Sequence, residues 1–311
     1  MIKRLLIVLA RWLGLKALAV SPDPDVRLAL LPAGDPLAPL PSPPSGSASR
    51  AGIVIVSYFG LPYLQQCLDS VFGRTAWLDF RVVVVDNGSD AETLSYLEAR
   101  ALREPRLQVV VNGRNLGFAA ANNIGLRMLT DCETMVLLNN DTVVPPDWLG
   151  KLVHYAARSD LGLVGPVTNW TGNEARIETH YQSLAEMEQF ARETTAAHVG
   201  QVFDISVLAM YCVAFRREVF ERAGKLDEAY GLGMFEDVDY AEAVRQLGLR
   251  VVCCEDIFVH HYGMASFSKL DPGEYQHLFA RNREYYTQKW GHPWLPFKGR
   301  SPGIPNGSNE E

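Results

Sequence analysis

The 311-residue chain lacks the signatures on which several large protein classes depend. Its five cysteines (Cys67, Cys132, Cys212, Cys253 and Cys254) are odd in number and contain no C-x-x-C, which excludes a disulfide framework and the common zinc sites. Reduced, mostly buried thiols are expected instead. No run of 18 or more uncharged apolar residues occurs, so a polytopic membrane protein is excluded. There is no collagen period and no block of like charges. A formal charge of -7 argues against a general nucleic-acid binder, which would be basic. Neither G-x-G-x-x-G nor G-x-x-x-x-G-K-[ST] follows the first strand-like run, so the phosphate cradles of the usual dehydrogenases and of P-loop nucleotidases are missing.

What is present is an ordinary globular composition, 48% hydrophobic and 21% charged, enough for one large domain or two small ones. The charge is unevenly spread. Residues 1–50 hold six basic residues and three acidic ones, a balance of +3, which leaves 23 basic and 33 acidic residues, or -10, for 51–311. Residues 1–20 are apolar with Lys3, Arg4 and Arg11 on one helical arc. Three readings fit them: a basic helix lying on an anionic membrane surface, a signal peptide, or a terminus without defined structure. Residues 21–50 carry eight of the 18 prolines and are expected to form a linker, with the folded body beginning near Ala51.

From there the chain alternates. Ile53–Ser57, Arg81–Asp86, Leu107–Val111 and Met135–Leu138 read as buried strands, and Leu61–Phe72, Ala91–Arg103 and Phe118–Leu129 as helices between them. The pattern predicts an α/β fold with a mainly parallel sheet flanked by helices. In such sheets ligands bind beyond the carboxyl ends of the strands. Those ends carry Ser57-Tyr58, Asp86 through Asp90, Asn112 through Gly117, and Asn139-Asn140-Asp141-Thr142. Each could be a simple turn or cap, but four such loops on one sheet edge predict a polar pocket. Without a glycine cradle, a diphosphate there would need a metal ion, with Asp141 as its ligand.

The second half continues with a helix over Asp147–Arg158, strands over Leu161–Val167 and Val207–Phe215, and a helix over Arg217–Ala223. Gly231 through Tyr240 (GLGMFEDVDY) then places three carboxylates at a helix start behind a glycine-rich loop. Capping accounts for acidic residues there, but not for three. A carboxylate at the mouth of a pocket is a candidate general base. Val251–Cys254 and Ile257–Val259 read as short strands leading to His260-His261, either of which could join Asp141 in an oxygen/nitrogen site suited to Mg²⁺ or Mn²⁺.

The segments IVIVSY, VVVVDNGSD, NGRNLGFAAANNIG, VLLNNDT, the FRREVFERAGKLDEAYGLGMFEDVDYAEAVRQLG block, HHYGMAS and NREYYTQKWG, in this order and spacing, resemble family 2 glycosyltransferases of the GT-A fold, rhamnosyltransferase-like branch. The resemblance covers roughly residues 52–291. It implies a domain over 51–291, divided into a nucleotide-binding half (51–142) and an acceptor and catalytic half (143–291) that ends in a terminal helix, with a flexible tail at 292–311. It implies that Ser57, Tyr58, Asp86, Asn115, Gly117 and Asn140 line the nucleotide sugar. The D-x-D element corresponds to Asn139-Asn140-Asp141, where only Asp141 retains the metal carboxylate, with His261 approaching the metal or diphosphate. Glu236-Asp237 matches the acidic pair, Asp237 being the base, and Trp170, Cys212, Met234 and Phe235 are assigned to the acceptor side. The implied reaction is inverting transfer of a sugar, rhamnose first, from a dTDP-, UDP- or GDP-linked donor to a glycan or lipid-linked acceptor in cell-envelope polysaccharide synthesis. Reduced thiols suit the cytoplasm, with peripheral attachment at the inner face of the plasma membrane if the leader is the membrane-surface helix. The alternative is a nonenzymatic nucleotide-sugar or glycan-binding module on the same fold, and no nucleic-acid partner is expected.

Overall fold

A computed structural model describes residues 29–34, 50–76, 79–263 and 272–296. The leader 1–20, most of the proline-rich stretch, the part of HHYGMAS containing Ser266, and the tail beyond 296 lie outside the described residues.

The first half is a run of β/α units: β1 Ala51–Ser57, α1 Leu61–Arg74, β2 Phe80–Asp86, α2 Ala91–Ala101, β3 Leu107–Val111, α3 Phe118–Met128 and β4 Thr134–Asn139. These four strands lie parallel in the order β3-β2-β1-β4. Helices cover both faces, which is why the strands can be continuous Val and Ile runs rather than alternating ones. The register sets Ser57 opposite Asp86, Asp86 opposite Val111 and Val56 opposite Asn139. The carboxyl ends are therefore level, and their polar loops emerge side by side.

The second half adds β5 Thr142–Val143, α4 Trp148–Ala156, β6 Leu161–Val167, α5 Leu184–Ala197, β7 Val202–Asp204, β8 Cys212–Arg216, α6 Arg217–Ala223, α7 Glu236–Arg245, β9 Arg250–Phe258, β10 His260–His261 and α8 Pro272–Trp290. β8 pairs antiparallel with β4 and carries the sheet on through β6, β9 and β7. A separate two-stranded ribbon joins β5 to β10, with His261 opposite Thr142. Among the described residues no helix is long and apolar enough to cross a membrane.

Two expectations need correction, and one helix was not foreseen. The apolar run Val207–Phe215 becomes a strand only from Cys212, because Tyr211 donates its N–H to Ala209 O in a tight turn and the earlier residues are buried as a loop. The two short strands expected at Val251–Cys254 and Ile257–Val259 are one strand through Phe258. The intervening carboxylates do not break it: Asp256 accepts from the Tyr155 hydroxyl (3.0 Å) and the Gly200 N–H (3.2 Å). Helix α5 was not expected from its polar sequence; it starts on Ser183, whose hydroxyl accepts the Glu186 N–H, and packs against the sheet through Met187 and Ala191.

Within the proline-rich stretch, residues 29–34 lie on the body. The Leu31 N–H donates to the Tyr262 hydroxyl (2.8 Å) and its carbonyl accepts from Gln66 (2.8 Å). Pro32 and Ala33 carbonyls accept from Leu184 and Ala185 in the first turn of α5.

Candidate active site

The loop after β2 is built on Asp86 and Asn87. Asp86 is fully buried; one carboxylate oxygen accepts the N–H groups of Gly88 (3.1 Å) and Ser89 (3.2 Å). The other has no hydrogen-bond partner among the described residues. Ser57, also fully buried, lies 3.4 Å from the Ser89 hydroxyl, which in turn holds the Phe59 N–H. Tyr58 stands half-buried beside them, edge-on to Phe59. Asp90, by contrast, is the N-cap of α2, accepting from Thr93.

Asn87 was not singled out in the sequence, yet it is the hub of this wall. Its amide donates to Asn115 Oδ1 (2.8 Å) and Gly117 O (3.3 Å), and its Oδ1 accepts from Asn112 (3.1 Å) and the Leu116 N–H (3.0 Å). Asn115 Oδ1 also takes the Gly117 N–H. The 112–117 loop is thereby held in one shape. Asn140 reaches back to Phe59 O at 3.3 Å.

Asp141 and His261 meet across the β5–β10 ribbon: His261 Nε2 stands 3.3 Å from Asp141 Oδ1, both groups being buried. His261 Nδ1 lies 3.0 Å from the Trp170 carbonyl, which can only accept, so Nδ1 donates there and Nε2 is the ring nitrogen turned toward Asp141. A carboxylate oxygen and an imidazole nitrogen side by side form an oxygen/nitrogen pair of the kind that suits Mg²⁺ or Mn²⁺. Among the described residues no group of three or more His, Cys, Asp or Glu could hold a metal. The pair would therefore leave most positions to phosphate oxygens and water, as these ions commonly do. Tyr211 stacks on the His261 ring at 5.1 Å and Trp170 meets it edge-on at 5.7 Å. His260 faces elsewhere: Nδ1 pairs with the Tyr181 hydroxyl at 2.6 Å, and burial pushes its pKa down to about 3.

The loop before α7 is strained. Met234 and Phe235 are consecutive non-glycine residues with φ of 73° and 77°. Such backbone persists where surrounding contacts over-determine it, often at functional sites. Behind it the three carboxylates have three fates. Glu236 is buried, with one oxygen lacking a hydrogen-bond partner among the described residues, and desolvation followed by the Asp237 charge pushes its pKa up to about 8. Asp237 is partly exposed but its carboxyl is desolvated, raising its pKa to about 6, and Oδ1 accepts the Val238 N–H at 2.8 Å. Asp239 is a structural anchor, accepting from Tyr230 (2.9 Å), Trp290 (2.8 Å) and Lys289 (2.8 Å).

Two of the acceptor assignments are corrected. Cys212 is fully buried in β8, paired with Leu138 inside the core, and has no surface to offer. Phe235 is buried among Tyr230, Phe279, Tyr286 and Trp294. Met234 and Trp170 are partly exposed.

Residues 52–224 match the protein family described as Glycosyl transferase family 2. The chain belongs to that family. As a family 2 member it is similar to O-antigen biosynthesis protein RfbC of Myxococcus xanthus, 29% identical over 262 residues that make up 79% of this chain and 19% of that protein. It is also similar to dTDP-rhamnosyl transferase RfbF of Shigella flexneri, 27% identical over 184 residues, 58% of this chain and 59% of that one. The match spans less than two thirds of either relative. Among solved structures, GalNAc-T7 with UDP, GalNAc and Mn²⁺ shares the fold with a TM-score of 0.56 at 20% identity, over 68% of this chain and 43% of that one. The family 2 chain thus has the α/β sheet of GT-A glycosyltransferases, as its sequence pattern predicts.

Proposed function

We propose that this family 2 chain is an inverting, metal-dependent glycosyltransferase that moves a sugar from a nucleoside diphosphate to a hydroxyl of a glycan or lipid-linked acceptor. The observation that carries the reading is the acid pair at the start of α7. Burial and the neighbouring charge separate the two carboxyls, leaving Glu236 protonated near neutral pH and Asp237 ionised and ready to accept a proton. Asp237 takes the proton of the acceptor hydroxyl as that oxygen bonds to the anomeric carbon. The bond from carbon to the diphosphate oxygen breaks on the opposite side, and its electron pair departs with the nucleoside diphosphate. One displacement inverts the anomeric centre, and no covalent intermediate is needed. Asp141 and His261 would hold Mg²⁺ or Mn²⁺, whose charge offsets that of the departing diphosphate.

Asp86, through its unpartnered oxygen, and the Ser57–Tyr58 edge face the nucleoside, and Met234 and Trp170 flank the acceptor. A dTDP-linked rhamnose is the first candidate donor, since RfbF is named a dTDP-rhamnosyl transferase, with UDP- and GDP-sugars as the other candidates. A thermal-shift panel of these donors with Mn²⁺ selects among them. The basic, apolar leader suits attachment to the inner face of the plasma membrane, tested by cosedimentation with anionic liposomes against a chain beginning at residue 51. Asp237→Asn should lower nucleoside diphosphate release from the selected donor by about 10²- to 10⁴-fold while leaving donor binding intact. Normal turnover in that variant removes Asp237 from the role.

A further inference from the structure

The strained turn before the acid pair is held by a residue 45 positions beyond Asp237 that the reaction itself does not use. Asn282 is fully buried in the middle of α8. Its amide nitrogen lies 3.0 Å from Tyr230 O, 2.9 Å from Gly233 O and 3.0 Å from Met234 O. An amide NH₂ has only two hydrogens, so three converging carbonyls share them. Its Oδ1 is fixed in turn by Arg281, through Nε at 3.0 Å and Nη2 at 2.9 Å, and the same Nη2 also donates to Tyr230 O. The positive φ angles at Gly231, Gly233, Met234 and Phe235 turn these carbonyls inward, where no strand or helix can satisfy them.

We propose that Asn282 is a positioning residue for the acid pair, fixing where Asp237 stands by holding the carbonyls of the turn that leads into it. The inference rests on the reading of Asp237 as the base. The role is local, because α8 is fastened independently. Lys289 and Trp290 bond Asp239, Tyr285 bonds Asp227, and Phe279 and Tyr286 pack on Phe235. Removing the Asn282 amide leaves those contacts in place and frees only the backbone of residues 230–235. Relaxation there displaces Glu236 and Asp237 without removing either, while the Asp86 and Asn87 wall, which meets this turn at Gly117 and Phe118, keeps its own hydrogen bonds. The signature is a loss in kcat with little change in donor KM.

The test is a double-mutant cycle on the full chain, read as nucleoside diphosphate release from the donor chosen by thermal shift, with Mn²⁺. Asn282→Ala should lower kcat about 100-fold, the scale of a small misplacement of a catalytic group, with donor KM within about twofold of the parent. In the Asp237→Asn background the same substitution should lower the residual rate by less than about threefold, because the group being positioned is gone. Asn282→Ser, which keeps one donor, should recover at least part of the rate and serves in the cycle if the alanine variant does not fold. A kcat within about threefold of the parent, a loss expressed in KM, or the full loss repeated on top of Asp237→Asn overturns the proposal. Normal turnover in Asp237→Asn alone is a separate result that counts against the base itself.

Discussion

A Cβ placed on Gly117 would stand 1.9 Å from the carbonyl oxygen of Gly231. The two glycines join the loop that follows β3 to the loop that precedes α7, so the first and second halves of the fold touch backbone to backbone. The Phe118 N–H completes the contact by donating to Leu232 O at 3.2 Å. Gly117 also has φ of 88°, where any side chain is strained.

Gly117→Ala therefore forces the two loops apart as well as straining the backbone. The substitution should cost about 2–4 kcal/mol and lower Tm by about 5–10 °C, read by calorimetry. Donor turnover should fall with it, because the Asn87 amide loses its grip on Gly117 O. A Tm within about 1 °C of the parent would show that the loops can separate freely.

The acid pair gives stability a pH dependence of definite sign. Both carboxyls have pKa values raised by folding, Glu236 to about 8 and Asp237 to about 6, the first mainly by desolvation and then by the charge of Asp237. A raised carboxyl pKa means that the fold favours the neutral form. The contribution is complete below the ordinary carboxylate range and is lost as pH rises through about 6 to about 8. Thermal melts across this range should show Tm falling with pH, and Glu236→Gln should flatten the fall. Activity moves the other way at first, since Asp237 must ionise, so kcat should rise through about pH 6.

His261→Ala removes the nitrogen that, with Asp141, would hold the proposed cation. Affinity for Mn²⁺ in the presence of nucleoside diphosphate should fall about 10- to 100-fold, measured by calorimetric titration. Donor turnover should cease with EDTA and return with Mn²⁺ or Mg²⁺. His260→Ala should leave Mn²⁺ affinity within about threefold of the parent, since that ring is turned toward Tyr181. Equal effects of the two substitutions would count against the assignment of His261.

The parallel half of the sheet was legible because its strands are uninterrupted β-branched runs and its helices bury one regular stripe, as Leu64, Leu68 and Val71 do. The polar strand ends could be aligned in the same way. Less legible were contacts that join distant segments through a single polar atom. Asn87, Asn123 and Asn282 lie in segments whose turn or helical character was legible, but spacing does not show that each holds carbonyls or amides far along the chain. Asp239 looked equivalent to Glu236 and Asp237 because spacing does not reveal that Lys289 and Trp290 arrive 50 residues later. Cys212 and Phe235 were assigned to the acceptor side with the family resemblance, but side-chain direction buries both. Helix α5 escaped notice because its inward positions include Glu188 and Thr195, and Glu188 is made tolerable in the interior by a two-point ion pair to Arg74.

The segment at 29–34 makes a prediction that a simple linker would not. Four backbone hydrogen bonds hold it: two at Leu31, to Tyr262 and Gln66, and one each at Pro32 and Ala33, to the otherwise unpaired first-turn amides of α5. The Tyr262 hydroxyl also donates to Gln66, closing a ring of three residues one position beyond His261. At about 0.5–1.5 kcal/mol for each bond, a chain beginning at Arg50 should be less stable by about 2–6 kcal/mol. Its Tm should drop by roughly 5 °C or more, and Gln66→Leu in the full chain should reproduce part of the drop. A free tether contributes nothing to the fold, so an unchanged Tm in both proteins would mean that the segment is one. The expected loss would instead make residues 29–34 a clasp between α1, α5 and the strand that presents His261.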